Sequence, residues 1–251
     1  VTIKGGGTMK KSKADQEQTR IQLMEAAIDL MIQKGYEKAS MREIARNAGV
    51  GDATIYNYFP TKESIVWAYI QWRHQQAVYT QNKIPDLEEY TLKEKLHSYF
   101  EILLEGFLPD KEFLPVAFKM THQSFLTHRS EIKAINEVFF TQVRGFLDTA
   151  IEKEEIPDQP IDTLIPHLIL DLYFIIIFYW MKDSSEHFQE TTELIDLLLD
   201  IAVGVLKQGL IGQMMNLGGF LLRHHLFSHA QTFLEGSSFK DMQSELKSFL
   251  S

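Results

Sequence analysis

The chain has no cysteine among its 251 residues. Disulfides, thiolate nucleophiles and cysteine-held zinc are therefore excluded. Proline is scarce, at 7 residues, and much of it falls in breaks such as Leu108-Pro109-Asp110 and Ile156-Pro157-Asp158-Gln159-Pro160. No stretch alternates apolar and polar for long, so strands are not expected. There is no internal repeat and no low-complexity region. No Gly-x-Ser-x-Gly occurs, and Gly5-Gly6-Gly7 lies outside any strand–turn–helix context, so neither an enzyme nor a bound cofactor is expected. The start, VTIKGGGTMKKSK, lacks an apolar leader. Val1–Thr8 reads as an expression remnant or an upstream start, and the location expected is cytoplasmic. The apolar run Leu164–Met181 is interrupted by Pro166, His167 and Asp171 and has no cationic flank before it. It reads as a buried helix in preference to a membrane span. His225 and His229 are four apart, with His224 alongside, but no third ligand is evident, so no metal is expected.

What is present begins near the N-terminus. Leu23, Ala27, Leu30 and Met31 recur at helical spacing, and Gly35 after Lys34 reads as a helix stop. Ser40 with Glu43 three residues on forms a capping-box pattern, which starts a second helix near Met41. Gly49 stops it, and Val50 is the apolar plug of the turn. A third, short helix follows over about Ala53–Phe59, with Asp52 as its cap, and Pro60 ends it. Two helices joined by a glycine-containing turn fit a helix-turn-helix, whose second helix enters the major groove of DNA. The net charge of −9 runs against such a partner until its distribution is read. Residues 1–80 carry 11 Lys/Arg against 8 Asp/Glu, a net of +3, and the remainder a net of −12. Lys10, Lys11 and Lys13 precede the first helix, within reach of phosphates.

The residues Arg20, Leu23, Ala26, Ala27, Leu30, Gly35, Ser40, Ile44, Ala45, Ala48, Gly49, Val50 and Ile65 fit one family pattern. Thr54-x-Tyr56-x-Tyr58-Phe59-x-x-Lys62-Glu63 is its most specific part. The stretch resembles the TetR family of one-component transcriptional regulators. The resemblance is strong over about a quarter of the chain and rests beyond that on length, helicity and order of parts. It departs at Gly51, where the family usually has Ser or Thr.

The fold expected is all-α: a disordered arm over 1–14, a helix-turn-helix domain over 15–60, a helical ligand-binding and dimerisation domain over 61–210, and extra C-terminal helices over 211–251. Helices are expected near 61–80, 91–106, 110–126, 130–154, 160–182 and 187–210. The resemblance implies that the last two core helices pair with those of a second subunit. Ile175, Ile176, Ile177, Leu198, Val203 and Val205 then read as core or dimer interface, with the face open. Whether 211–251 cover the body or enlarge the interface is also open.

The resemblance further implies a small-molecule effector, and the aromatic body suggests an apolar or aromatic one. Candidate pocket residues are Phe100, Phe107, Phe118, Phe125, Phe139, Phe174 and Phe178, with His122, His167, Asp171 and Tyr173 as polar contacts. Gln123 is a further one. The recognition helix would present Asp52, Ala53, Thr54, Tyr56 and Asn57 to the major groove, with Gly51 just before it also at the DNA surface. Ser40, Met41, Arg42, Tyr58 and Lys62 would hold phosphates. The partners expected are a double-stranded palindromic operator, the effector and a second copy of the chain, with no membrane. A repressor released by its ligand is the leading expectation. An activator or ligand-independent regulator is the alternative, and a membrane-associated helical protein a more distant one.

Overall fold

The computed structural model describes residues 12–118, 129–158, 164–209 and 213. Among them the secondary structure is helical, without strands. Helix α1 runs Lys13–Lys34. Its start is set by a reciprocal capping box: the Asp15 amide donates to Ser12 Oγ and the Ser12 amide to Asp15 Oδ2, each at 3.1 Å. The arm expected over 1–14 is therefore helical from Lys13 onward. Gly35 ends α1 at φ +83°, a conformation strained for a residue with a Cβ.

Helix α2 spans Met41–Asn47 and α3 spans Asp52–Tyr58. Between them Gly49 turns the chain at φ +70°. Leu23, Ala27, Ile28, Met31, Ile44 and Ile55 are buried and close this three-helix unit, and Val50 packs on them from the turn. Helix α4, Lys62–Gln81, starts at a second capping box between Thr61 and Ser64. It packs on α1 at one end and on α5, Leu92–Phe107, and α7, Arg129–Glu152, along its length.

The helix expected from 110 starts later. Residues Leu108–Phe113 form a 3-10 segment with Asp110 off helical geometry, and α6 begins at 114. Helix α8 covers Leu164–Trp180 and α9 covers Gln189–Lys207. The turn between them holds His187 and Phe188 at φ +52° and +57°.

Tyr99, Phe100, Phe139 and Tyr173 stack across α5, α7 and α8 with centroids 5.7–6.4 Å apart, filling the centre of the body. Helix α8 is apolar all round yet buries only one side. Ile176, Ile177 and Tyr173 face the core, while Ile175, Phe178 and Tyr179 face outward. On α9, Leu199 and Val203 are buried, Leu198 and Val205 half-buried, and Leu197 and Ile201 are 56% and 67% exposed. No helix of the described residues is long and apolar enough to cross a membrane.

Candidate nucleic-acid interface and effector cavity

The candidate DNA-binding surface is built by α3 with the starts of α1 and α2. Ile55 anchors α3 in the core, so Asp52, Ala53, Tyr56 and Asn57 are exposed and Thr54 and Tyr58 half-exposed. Gly51, not Asp52, is the N-cap of α3, and it has no side chain to receive an amide. Asp52 is the first helical residue. Its carboxylate meets Arg42 Nε at 3.0 Å, so two of the expected DNA contacts are engaged with each other. At the start of α2 the Glu43 amide donates to Ser40 Oγ at 3.3 Å, and Met41 sits half-buried beside it. Lys34 Nζ reaches the Glu43 carboxylate at 2.6 Å.

Lys62 departs most from expectation. Its ammonium donates to the Tyr36 carbonyl at 2.8 Å and lies 4.4 Å from the centre of the Tyr36 ring. Glu63 accepts from the Tyr36 hydroxyl at 2.6 Å, which holds its own pKa below the usual carboxylate range. The Lys-Glu pair thus clamps the loop between α1 and α2. A groove beside α3 is walled by Thr54, Asn57 and Tyr58 on one side and Lys13, Gln16 and Arg20 of α1 on the other. Gln16 and Arg20 were not expected at this surface. Arg20 belongs to the family pattern, but nothing in its spacing shows that it faces the groove.

The body holds a partly open apolar cavity of about 110 Å³. Helix α4 supplies Trp67, Ile70 and His74, and α5 supplies Phe107. Leu114, Ala117 and Phe118 of α6, and Ile132, Ile135 and Asn136 of α7, close two further sides. Leu170, Tyr173, Phe174 and Ile177 of α8 complete the wall.

A family model described as the tetracyclin repressor-like C-terminal domain matches residues 95–221, about half of the chain. One described as bacterial regulatory proteins, tetR family, matches residues 23–69. The chain belongs to the TetR family. It is a DNA-binding transcriptional regulator with the family's N-terminal helix-turn-helix and larger helical body. It is 28% identical over 139 residues to the fatty acid metabolism regulator protein of Bacillus subtilis, an overlap of 55% of this chain and 71% of that one. The fold is that of FadR from Bacillus subtilis in complex with stearoyl-CoA, at a TM-score of 0.53 and 24% identity over 75% of this chain and 98% of the other. It is also that of FadR from Thermus thermophilus, a TetR-family repressor in complex with lauroyl-CoA. There the TM-score is 0.55 and the identity 20%, over 76% and 94% of the chains.

Of the expected pocket residues, Phe107, Phe118, Tyr173 and Phe174 line the cavity of this TetR-family body. Phe100 and Phe139 lie one layer behind it, packed on Tyr173. Phe178 is 47% exposed and packs on Phe118 at 4.7 Å, outside the wall. His167 and Asp171 are corrections: both sit on the outer side of α8, His167 against the Phe140 ring at 4.4 Å. His122, Gln123, Phe125 and the histidines at 224, 225 and 229 lie outside the described residues, as do the extra helices expected over 211–251 apart from residue 213. Among the described residues no three potential metal ligands gather.

The sequence reading missed the α4 side of the cavity. His74 is buried there without a partner for Nδ1, and burial pushes its pKa down to about 4. A histidine in the middle of an apolar helix stripe was the available signal.

Proposed function

We propose that the protein is a homodimeric repressor that leaves a two-fold-symmetric operator when a long-chain acyl thioester fills the cavity. The observation that carries this reading is the placement of α4. Its first turn is buried against the helix-turn-helix through Ile65 and Val66, and its next turns line the cavity through Trp67, Ile70 and His74. A displacement imposed on those turns is passed to the reading head through one continuous helix. At about 110 Å³ the cavity is below the roughly 300–1,000 Å³ of sites that hold drug-sized ligands. A ligand of that size must therefore spread α4 from α7 and α8, and a ligand that prefers the spread state biases the protein toward it.

The acyl class is supported by the relatives: both FadR structures hold an acyl-CoA, and the Bacillus subtilis relative is named for fatty acid metabolism. The dimer is supported by the outward stripe of Ile175, Phe178, Leu197 and Ile201 on α8 and α9, an apolar surface of the kind that marks an interface. Two copies joined there would set two α3 helices on successive turns of one duplex face.

Fluorescence anisotropy with a duplex selected by the protein, titrated with lauroyl-CoA against coenzyme A alone, tests the reading. Release by lauroyl-CoA and not by coenzyme A is expected. Retention of DNA at saturating lauroyl-CoA would contradict it.

A further inference from the structure

Outside the cavity wall, helix α4 is held to the body by a closed ring of hydrogen bonds among Tyr69, Arg73 and Asp110. Arg73 Nη2 donates to Asp110 Oδ2 and Arg73 Nε to the Tyr69 hydroxyl, each at 2.7 Å. The Tyr69 hydroxyl donates in turn to Asp110 Oδ2. Tyr69 is 1% exposed and Asp110 8%, so little water competes for these bonds. Tyr69 and Arg73, four apart on one face, alternate along α4 with Ile70 and His74, which line the cavity from a neighbouring face. Asp110 sits where the chain leaves helical geometry, at φ −117° and ψ 22°. Phe107 before it and Leu114 after it both line the cavity.

The next residue ties this segment elsewhere. Lys111 Nζ donates to the Asp183 carbonyl at 3.2 Å and lies 4.3 Å from the centre of the Phe188 ring and 4.8 Å from that of Trp180. Asp110 is thereby fixed to the end of α8 and the turn after it, while its partners belong to α4. A ligand that spreads α4 from α8 carries Tyr69 and Arg73 away from a carboxylate that stays behind.

We propose that Asp110 is a positioning residue for DNA binding: through Arg73 and Tyr69 it holds α4 in its ligand-free seat and so sets how much effector is needed to release DNA. The inference rests on the reading of the cavity as the effector site. Opening the ring parts a buried carboxylate from its guanidinium, so the seated state is favoured by the whole of that interaction. Breaking it offsets part of the effector's binding energy. A protein without the ring spreads more readily, and it binds the effector more tightly because the competent state is more populated. A residue that only held the fold together would, when removed, weaken effector binding or leave it alone.

Lauroyl-CoA binding to the full chain is measured by calorimetry, and release from a selected duplex by anisotropy. Asp110→Asn and Arg73→Met are each expected to bind lauroyl-CoA about tenfold more tightly than wild type and to leave DNA at correspondingly less of it. Tyr69→Phe, which loses one oxygen, is expected to shift both readings the same way by a smaller factor. Arg73→Lys, which keeps the charge, stays nearer wild type than Arg73→Met. If Asp110→Asn or Arg73→Met fails to fold, Tyr69→Phe carries the test. Unchanged or weaker lauroyl-CoA affinity in the variants that fold overturns this inference and leaves the effector cavity standing. Failure of wild type to bind lauroyl-CoA overturns both.

Discussion

At the residue scale, three side chains decide how the molecule is read. His74 has a folded-state pKa of about 4 against an ordinary 6.5. The unfolded chain therefore takes up the proton first on acidification, so stability rises with pH between about 4 and 6.5 and is lost as pH falls through that window. The loss is roughly 3 kcal/mol from this group alone. Urea unfolding at pH 7 and pH 4.5 should show it as the difference between wild type and His74→Phe. Equal pH dependence in the two proteins would mean that His74 is hydrated.

Lys62 is the second. With its ammonium on the Tyr36 carbonyl it holds a loop, so Lys62→Met is expected to cost about 1 kcal/mol of stability. The salt dependence of DNA binding should stay unchanged. A slope reduced by about 0.9 would instead make it a phosphate contact. Asp52 is the third. It holds Arg42 at 3.0 Å, and Asp52→Asn should free that guanidinium for phosphate. Weaker sequence discrimination and tighter binding to scrambled duplexes are expected, seen in paired anisotropy titrations. Unaltered binding to scrambled DNA would show that the pair plays no part.

At the element scale, the helices of the reading head were legible because each has its own local signal. Ser40 caps α2 through the Glu43 amide, Gly49 makes the turn at positive φ, and Ile55 fixes which side of α3 is outward. The cap of α3 was not legible. Asp52 follows Gly51 directly, and either could hold that position by composition. Gly51 has φ −69°, and a Cβ added there meets only Thr54 Oγ1, at 3.5 Å. Gly51→Ser should therefore add a cap and raise stability by a few tenths of a kcal/mol, roughly. Thermal unfolding would read this as a small upward shift, and a fall would place strain at that turn.

The break at Leu108-Pro109-Asp110 was legible, but its extension to Phe113 was not, because tertiary contacts hold it. Arg73 of α4 donates to Asp110 Oδ2 at 2.7 Å, and the Tyr69 hydroxyl also donates to it. Helix α8 shows the limit of periodicity. A helix apolar all round gives no moment to say which side is inward. Only His167 and Asp171, four apart, mark the outer stripe, and both lie on the exposed side, away from the pocket.

At the scale of the whole molecule, we propose that α4 links the cavity to the reading head and that the outer faces of α8 and α9 join two copies of the chain. Leu197→Glu with Ile201→Glu places charge on residues more than half exposed in one chain. The double variant is expected to keep its fold, sediment as a monomer and lose most of its operator affinity, since one half-site remains per molecule. A variant that still sediments as a dimer would move the interface elsewhere.

The measurement that bears most directly on the whole is selection of duplexes from a random pool, run with and without lauroyl-CoA. Enrichment of a two-fold-symmetric sequence, abolished when lauroyl-CoA is present, is the expected result. No enriched sequence, or a symmetric one enriched equally with the acyl thioester present, would contradict a repressor released through the α4 cavity.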